Sequence, residues 1–117
     1  MAVNVKGMFP FLEAVIPHMK KQFEDAIVIL ESIRYRFFHS LCITKSATHT
    51  MTDLLAISLA PDIRVNCISS GAVATHWWAG IEERMHGLAG NLPLKRISTP
   101  EDIAEAILFQ LTQPSIT

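Results

Sequence analysis

The sequence predicts an α/β fold with parallel strands and helices packed on the faces of the sheet, and three observations carry that prediction. Ala26-Ile27-Val28-Ile29-Leu30 is a short apolar run, largely β-branched and bounded by charge, as suits a strand covered on both faces. A second such run spans Ile63 to Ile68 and is broken by Ser69-Ser70-Gly71. Between them, Leu41 to Leu59 has helical period, with Ile43, Ala47, Met51, Leu54 and Leu55 expected on the buried face and Pro61-Asp62 closing the helix. Strand, helix, strand in that order is a βαβ unit, which makes the two strands parallel and the crossover right-handed.

The flanking elements follow in order. From Val3 to Lys21, Met8, Leu12, Val15, Ile16 and Met19 recur at helical spacing, and Pro10 predicts a bend because a proline inside a helix removes a hydrogen bond. Thr75 to Gly90 holds Trp77, Trp78 and Met85 without a regular pattern and reads as a mobile flap. The last helix is marked by Ser98 as N-cap, Pro100 near its first position and Glu101 completing a capping box, with Ile103, Ile107, Leu108 and Leu111 on its buried side.

Composition narrows the function. Ten Lys+Arg against 11 Asp+Glu leave a net charge of −1, and the basic residues are scattered, which argues against nucleic acid as a partner. No apolar run reaches the roughly 18 residues a bilayer crossing needs, so no membrane partner is expected. Cys42 and Cys67 have no second Cys or His at metal-ligand spacing, and His18, His39, His49, His76 and His86 fall one to an element. That pattern predicts neither a disulfide nor a metal site, and it fits a reducing cytoplasm.

Five stretches in order resemble the second half of a short-chain dehydrogenase/reductase. Asn4-Val5-Lys6-Gly7 resembles the family's NxxG, Ile27 to Ser32 the strand ending in its active-site serine, and Lys45 the lysine of YxxxK. Arg64-Val65-Asn66 through Gly71-Ala72-Val73-Ala74-Thr75 resembles RVN…PGxVxT, and Pro93-Leu94-Lys95-Arg96 with Thr99 to Ala104 resembles the lead into the penultimate helix. The resemblance implies a partial Rossmann-like doubly wound parallel sheet over residues 1–117, a single partial domain. It also implies hydride transfer between NAD or NADP and a small-molecule carbonyl or alcohol. The glycine-rich TGxxxGxG turn, the NNAG strand and the closing GxxxxVDGG strand are not in the sequence, so the chain reads as a C-terminal half.

By the same resemblance the candidate catalytic residues are Asn4, Ser32 and Lys45, and the candidate cofactor-binding residues are Lys45, Gly71, Val73 and Thr75. The family tyrosine lies one helical turn before the lysine, about 5–6 Å away on the same face, and here that position is Leu41. Loss of a positioned acid/base group removes roughly 10²–10⁴-fold in rate, so turnover is not expected. Only nine positions separate Ser32 from Leu41, fewer than in the family, and Tyr35 precedes Lys45 by ten, which is not a helical-turn spacing. Ser70 replaces the family proline.

Each of these residues also has a plainer reading. Asn4 is either the holder of a water beside the lysine or a helix cap. Ser32 is either a substrate contact or a polar strand end, and Lys45 either a ribose ligand or a solvated lysine. Trp77 and Trp78 either shape a substrate pocket or cover the end of the sheet. A second functional class stays open, a catalytically silent module: the family pairs the helices equivalent to 3–21 and 41–59 with symmetry mates, which implies a homo-oligomer.

Overall fold

The computed structural model describes residues 2–21, 25–32 and 39–117, with side chains from residue 4 in the first segment and from residue 42 in the last. A π-helical stretch, Ala2–Gly7, leads into α1 (Met8–Met19). Then come β1 (Asp25–Ser32), α2 (His39–Leu59), β2 (Ile63–Ser70), α3 (Glu82–Asn91) and α4 (Pro100–Thr112). Among the described residues no helix is long and apolar enough to cross a membrane.

β1 and β2 pair in parallel from Asp25↔Ile63 to Ser32↔Ser70, which bears out the βαβ unit. Each strand runs two residues further than the apolar run predicted, through Glu31-Ser32 and Ser69-Ser70. The added residues are polar because they lie at the carboxyl end of the sheet, where a parallel α/β layer opens toward ligand. Side chains alternate across a strand, so Ile27, Ile29, Ile63, Val65 and Cys67 share one face. There Ile29, Ile63 and Val65 join Leu59 in the core, packed by Met8, Ile16 and Met19 of α1 and by Met51, Leu55 and Ala56 of α2.

Besides Leu108 and Leu111 of α4, which are 61% and 43% exposed where a buried side was expected, four expectations need correction. The interruption of the first helix lies between Gly7 and Met8, where π-helix gives way to α-helix, so that Pro10 falls in the first turn of α1. The flap contains a 3₁₀ turn, His76–Trp78, and the helix α3, whose entry turn is made by Gly80 at φ 80°. The N-cap of α4 is Thr99 rather than Ser98. Its hydroxyl accepts from the Asp102 N–H at 3.2 Å while the Asp102 carboxylate accepts from the Thr99 N–H at 2.8 Å. Ser98 is held in extended backbone by a parallel bridge to Val73.

The fourth correction concerns the buried face of α2. Ile43, Ala47 and Leu54 are exposed, and Thr44, Thr48 and Thr52 are buried in their place. The Thr48 hydroxyl donates to the Lys45 carbonyl at 2.8 Å and that of Thr52 to the Thr48 carbonyl at 2.9 Å, so these hydroxyls enter the interior already hydrogen-bonded.

The opposite face of the sheet is fastened by Arg64. Its guanidinium donates to the carbonyls of Gln110 (2.8 Å), Leu111 (2.9 Å) and Ile116 (3.0 Å). Gln110 and Leu111 belong to the last turn of α4, whose carbonyls have no partner within the helix and carry its negative dipole end. The Asn66 side-chain amide donates to the Ile116 carbonyl at 3.0 Å. Replacing Arg64 by Met keeps the aliphatic stem and removes all three donors, so Arg64→Met is expected to lower stability by about 2 kcal/mol. A shift of the urea midpoint checks this; an unchanged midpoint would show that solvent serves these carbonyls equally well.

Candidate functional site

The carboxyl ends of β1 and β2 and the first turns of α2 enclose a cavity of about 320 Å³ lined by Glu31, Ser32, Lys45, Ser46, His49, Thr50 and Ser69. Two of the residues singled out from the sequence, Ser32 and Lys45, meet there. The Lys45 ammonium donates to the Leu30 carbonyl at 3.0 Å, which ties the helix to the strand that carries Ser32. Leu41 lies one helical turn earlier in α2. Tyr35 lies outside the described residues.

Asn4 does not cap a helix. It stands inside the π-helical stretch, and its amide donates to the buried Thr44 hydroxyl at 3.2 Å, one residue from Lys45. A π-turn fits this placement, because the extra residue it admits turns a side chain out of the α-helical register. Asn4 therefore reaches the neighbourhood of Lys45 through α2 itself.

Gly71, Val73 and Thr75 are fastened elsewhere. The loop runs beside Ser98: Ala74 N–H donates to the Ser98 carbonyl at 2.9 Å, and Ser98 N–H to the Ala72 carbonyl at 3.2 Å. Thr75 N–H donates back to the Val73 carbonyl at 2.9 Å, and the Trp78 indole donates to that same carbonyl at 2.8 Å. Trp78 thus braces the loop, while its neighbour Trp77 is exposed. Ser70, where the family has proline, uses its hydroxyl to donate to the Glu31 carbonyl at 3.2 Å.

The residue that the sequence reading passed over is Glu31. Its side chain is buried, one of its oxygens accepts from the Ser69 hydroxyl at 3.1 Å, and the same oxygen lies 3.2 Å from His49 Nδ1. Its second oxygen is buried with no hydrogen-bond partner. Cys67 Sγ stands 3.6 Å from His49 Nδ1, and the three ligand-type atoms of Glu31, His49 and Cys67 all lie within 4.8 Å of one another. The expectation that no such group of ligands forms was drawn from spacing within single elements. These three come from β1, α2 and β2, and the usable signal was parity: Cys67 and Ser69 share a face, and Ser69 pairs with Glu31.

Burial pushes the Cys67 thiol above its ordinary range, and the charges of Glu31 and then Asp53 push it further. A raised thiol pKa leaves less thiolate at a given pH, so Cys67 is a poor nucleophile near neutrality. In metal-free protein, alkylation of Cys67 by iodoacetamide is expected to be slower than that of a free cysteine peptide at pH 8, and Glu31→Gln is expected to speed it. Peptide mass spectrometry resolves Cys67 from Cys42; equal rates for Cys67 and the peptide would contradict the shift.

Residues 1–115 match the family profile described as enoyl-(acyl carrier protein) reductase. The chain is 44% identical over 117 residues to the short-chain dehydrogenase/reductase homolog YusR of Bacillus subtilis, covering 97% of this chain and 91% of that protein. It is 33% identical to dehydrogenase/reductase SDR family member 4 of Homo sapiens, covering 92% of this chain but only 41% of that protein. Among solved structures, a short-chain type dehydrogenase/reductase from Mycobacterium ulcerans superimposes with a TM-score of 0.85 at 29% identity, over 94% of this chain and 43% of that one.

Proposed function

Because the chain belongs to the short-chain dehydrogenase/reductase family, a family of oxidoreductases, we propose that it carries the substrate-side half of an NAD(P)-dependent carbonyl or alcohol oxidoreductase fold without its proton transfer. One observation carries this reading. Lys45, the family's ribose and tyrosinate partner, is hydrogen-bonded to the Leu30 carbonyl, and one turn before it stands Leu41, which neither ionises nor donates.

A bound dinucleotide would supply the hydride, and this chain fits only one corner of it. Ser32 and Lys45 line one cavity, where the serine hydroxyl would hold a substrate oxygen and the two remaining ammonium donors a ribose hydroxyl. The loop at Gly71, Val73 and Thr75 fits less well, since the N–H groups of Ala74 and Thr75 are already bound to Ser98 and Val73. Exclusion of bulk water is also weak, because His49 and Thr50 at the cavity wall are exposed. Position without an acid supports a scaffold rather than a turnover site.

Titration with NADH and NADPH, followed through the fluorescence of Trp77 and Trp78, is expected to give no saturable change at micromolar cofactor and no carbonyl reduction. Saturable micromolar binding with turnover would overturn the reading.

A second reading, self-association, is favoured by the outer face of α2. Ile43, Leu54 and Ile57 are 60%, 63% and 79% exposed, and Ile43, Ala47, Thr50, Leu54 and Ile57 follow one another at helical spacing. Phe9 and Phe11 of α1 are exposed as well. The radius of gyration, 15.9 Å, exceeds the about 13.4 Å of a compact chain of this length. Light scattering is expected to find a dimer or larger species that Leu54→Glu with Ile57→Glu shifts to monomer; a monomer at all concentrations without the substitutions would contradict it.

A further inference from the structure

We propose that Glu31, His49 and Cys67 form a binding site for a borderline-soft divalent cation, with Zn²⁺ as the type, held by one carboxylate oxygen, His49 Nδ1 and Cys67 Sγ. The fourth position would open on the cavity beside Ser69. The site is separate in its chemistry from the Ser32 and Lys45 corner and does not depend on dinucleotide binding.

Zinc bonds of about 2.1 Å to oxygen, about 2.05 Å to nitrogen and about 2.3 Å to sulfur, set at tetrahedral angles, separate the oxygen from the nitrogen by about 3.4 Å and the nitrogen from the sulfur by about 3.6 Å. The chain holds Glu31 Oε2 and His49 Nδ1 at 3.2 Å, and His49 Nδ1 and Cys67 Sγ at 3.6 Å. Two of the three separations thus match those between ligands of one small ion, and the third, Glu31 to Cys67, is within 4.8 Å. Hydrogen bonds of His49 Nδ1 with Glu31 Oε2 and with Cys67 Sγ preset both distances.

Glu31 itself also points to a cation. A carboxylate almost wholly buried on an apolar strand is costly unless its charge is paired, yet one of its oxygens has no partner and the other sees a neutral hydroxyl and an imidazole. A bound cation would supply the missing charge. The Ser69 hydroxyl, donating to Glu31 Oε2 at 3.1 Å, orients that carboxylate in the manner of outer hydrogen bonds around metal ligands.

One thiolate, one imidazole and one carboxylate suit zinc and its first-row neighbours better than calcium or magnesium, which take oxygen ligands in larger numbers. Three protein ligands with one open position are the pattern of an accessible zinc site. Access is provided by His49, whose side chain is 54% exposed.

Co²⁺ is the probe, added to chelator-treated full chain and followed by absorption. One equivalent is expected to bind, with visible bands of four-coordinate cobalt and a near-ultraviolet thiolate-to-cobalt charge-transfer band. Cys67→Ser is expected to abolish that band, Cys42→Ser to leave it, and His49→Gln to weaken the Co²⁺ affinity at least about tenfold. His49 is on the surface, so His49→Gln tests the site even if Cys67→Ser fails to fold. Zn²⁺ should displace the cobalt and raise the Tm of the chain but not that of His49→Gln. The absence of a charge-transfer band, its survival in Cys67→Ser, or unchanged affinity in His49→Gln would overturn the proposal.

Discussion

The parallel register between β1 and β2 is the constraint on which the rest of the molecule depends. Eight consecutive pairs, from Asp25↔Ile63 to Ser32↔Ser70, settle which side chains face α1 and α2 and which face α4. A slip of one residue would exchange the two sets: Val65 and Ile63 would leave the core, and Arg64 would lose its reach to the end of α4. The register also sorts each strand along its length. Its amino-terminal part packs Ile27, Ile29, Ile63 and Val65, and its carboxyl end gathers Glu31, Ser32, Ser69 and Ser70, so the strands that build the core also deliver the polar site.

The crossover helix meets the sheet in an unusual way. Burying Thr44, Thr48 and Thr52 brings polar groups inward, and the local bonds of the Thr48 and Thr52 hydroxyls to carbonyls of the preceding turn remove most of the desolvation cost. The small side chains let α2 lie close over β2. The apolar residues a helix of this length would otherwise bury, Ile43, Leu54 and Ile57, are displaced to the outside, where only a partner surface would cover them.

Much of the fold was legible in the sequence, for reasons that also explain what was not. β-Branched runs mark strands strongly, so both strands and their helical crossover could be read directly. The cap of α4 was misplaced by one because Ser98 with Glu101 and Thr99 with Asp102 have the same spacing, and only the bridge from Ser98 to Val73 decides between them. Periodicity put Ile43 and Leu54 inside because hydropathy cannot see a threonine hydroxyl satisfied by its own helix. Motif resemblance brought Ser32 and Lys45 to one cavity. It missed Glu31, His49 and Cys67 because no local spacing links three residues that meet only through strand pairing and helix packing.

The two groups of polar residues at this end of the sheet are compatible only because each is anchored differently. An ammonium free to swing toward Glu31 would neutralise it and compete with any metal ion. Lys45 is held away by its bond to the Leu30 carbonyl, a main-chain acceptor that β1 positions. Glu31 is left to face His49 and Cys67, on the opposite parity of the strand from Ser32. The same Lys45 bond fastens α2 to β1. The end of the sheet then keeps a fixed cation on one side and, on the other, a carboxylate with one unpartnered oxygen beside soft donors. That combination suits holding a positively charged ligand.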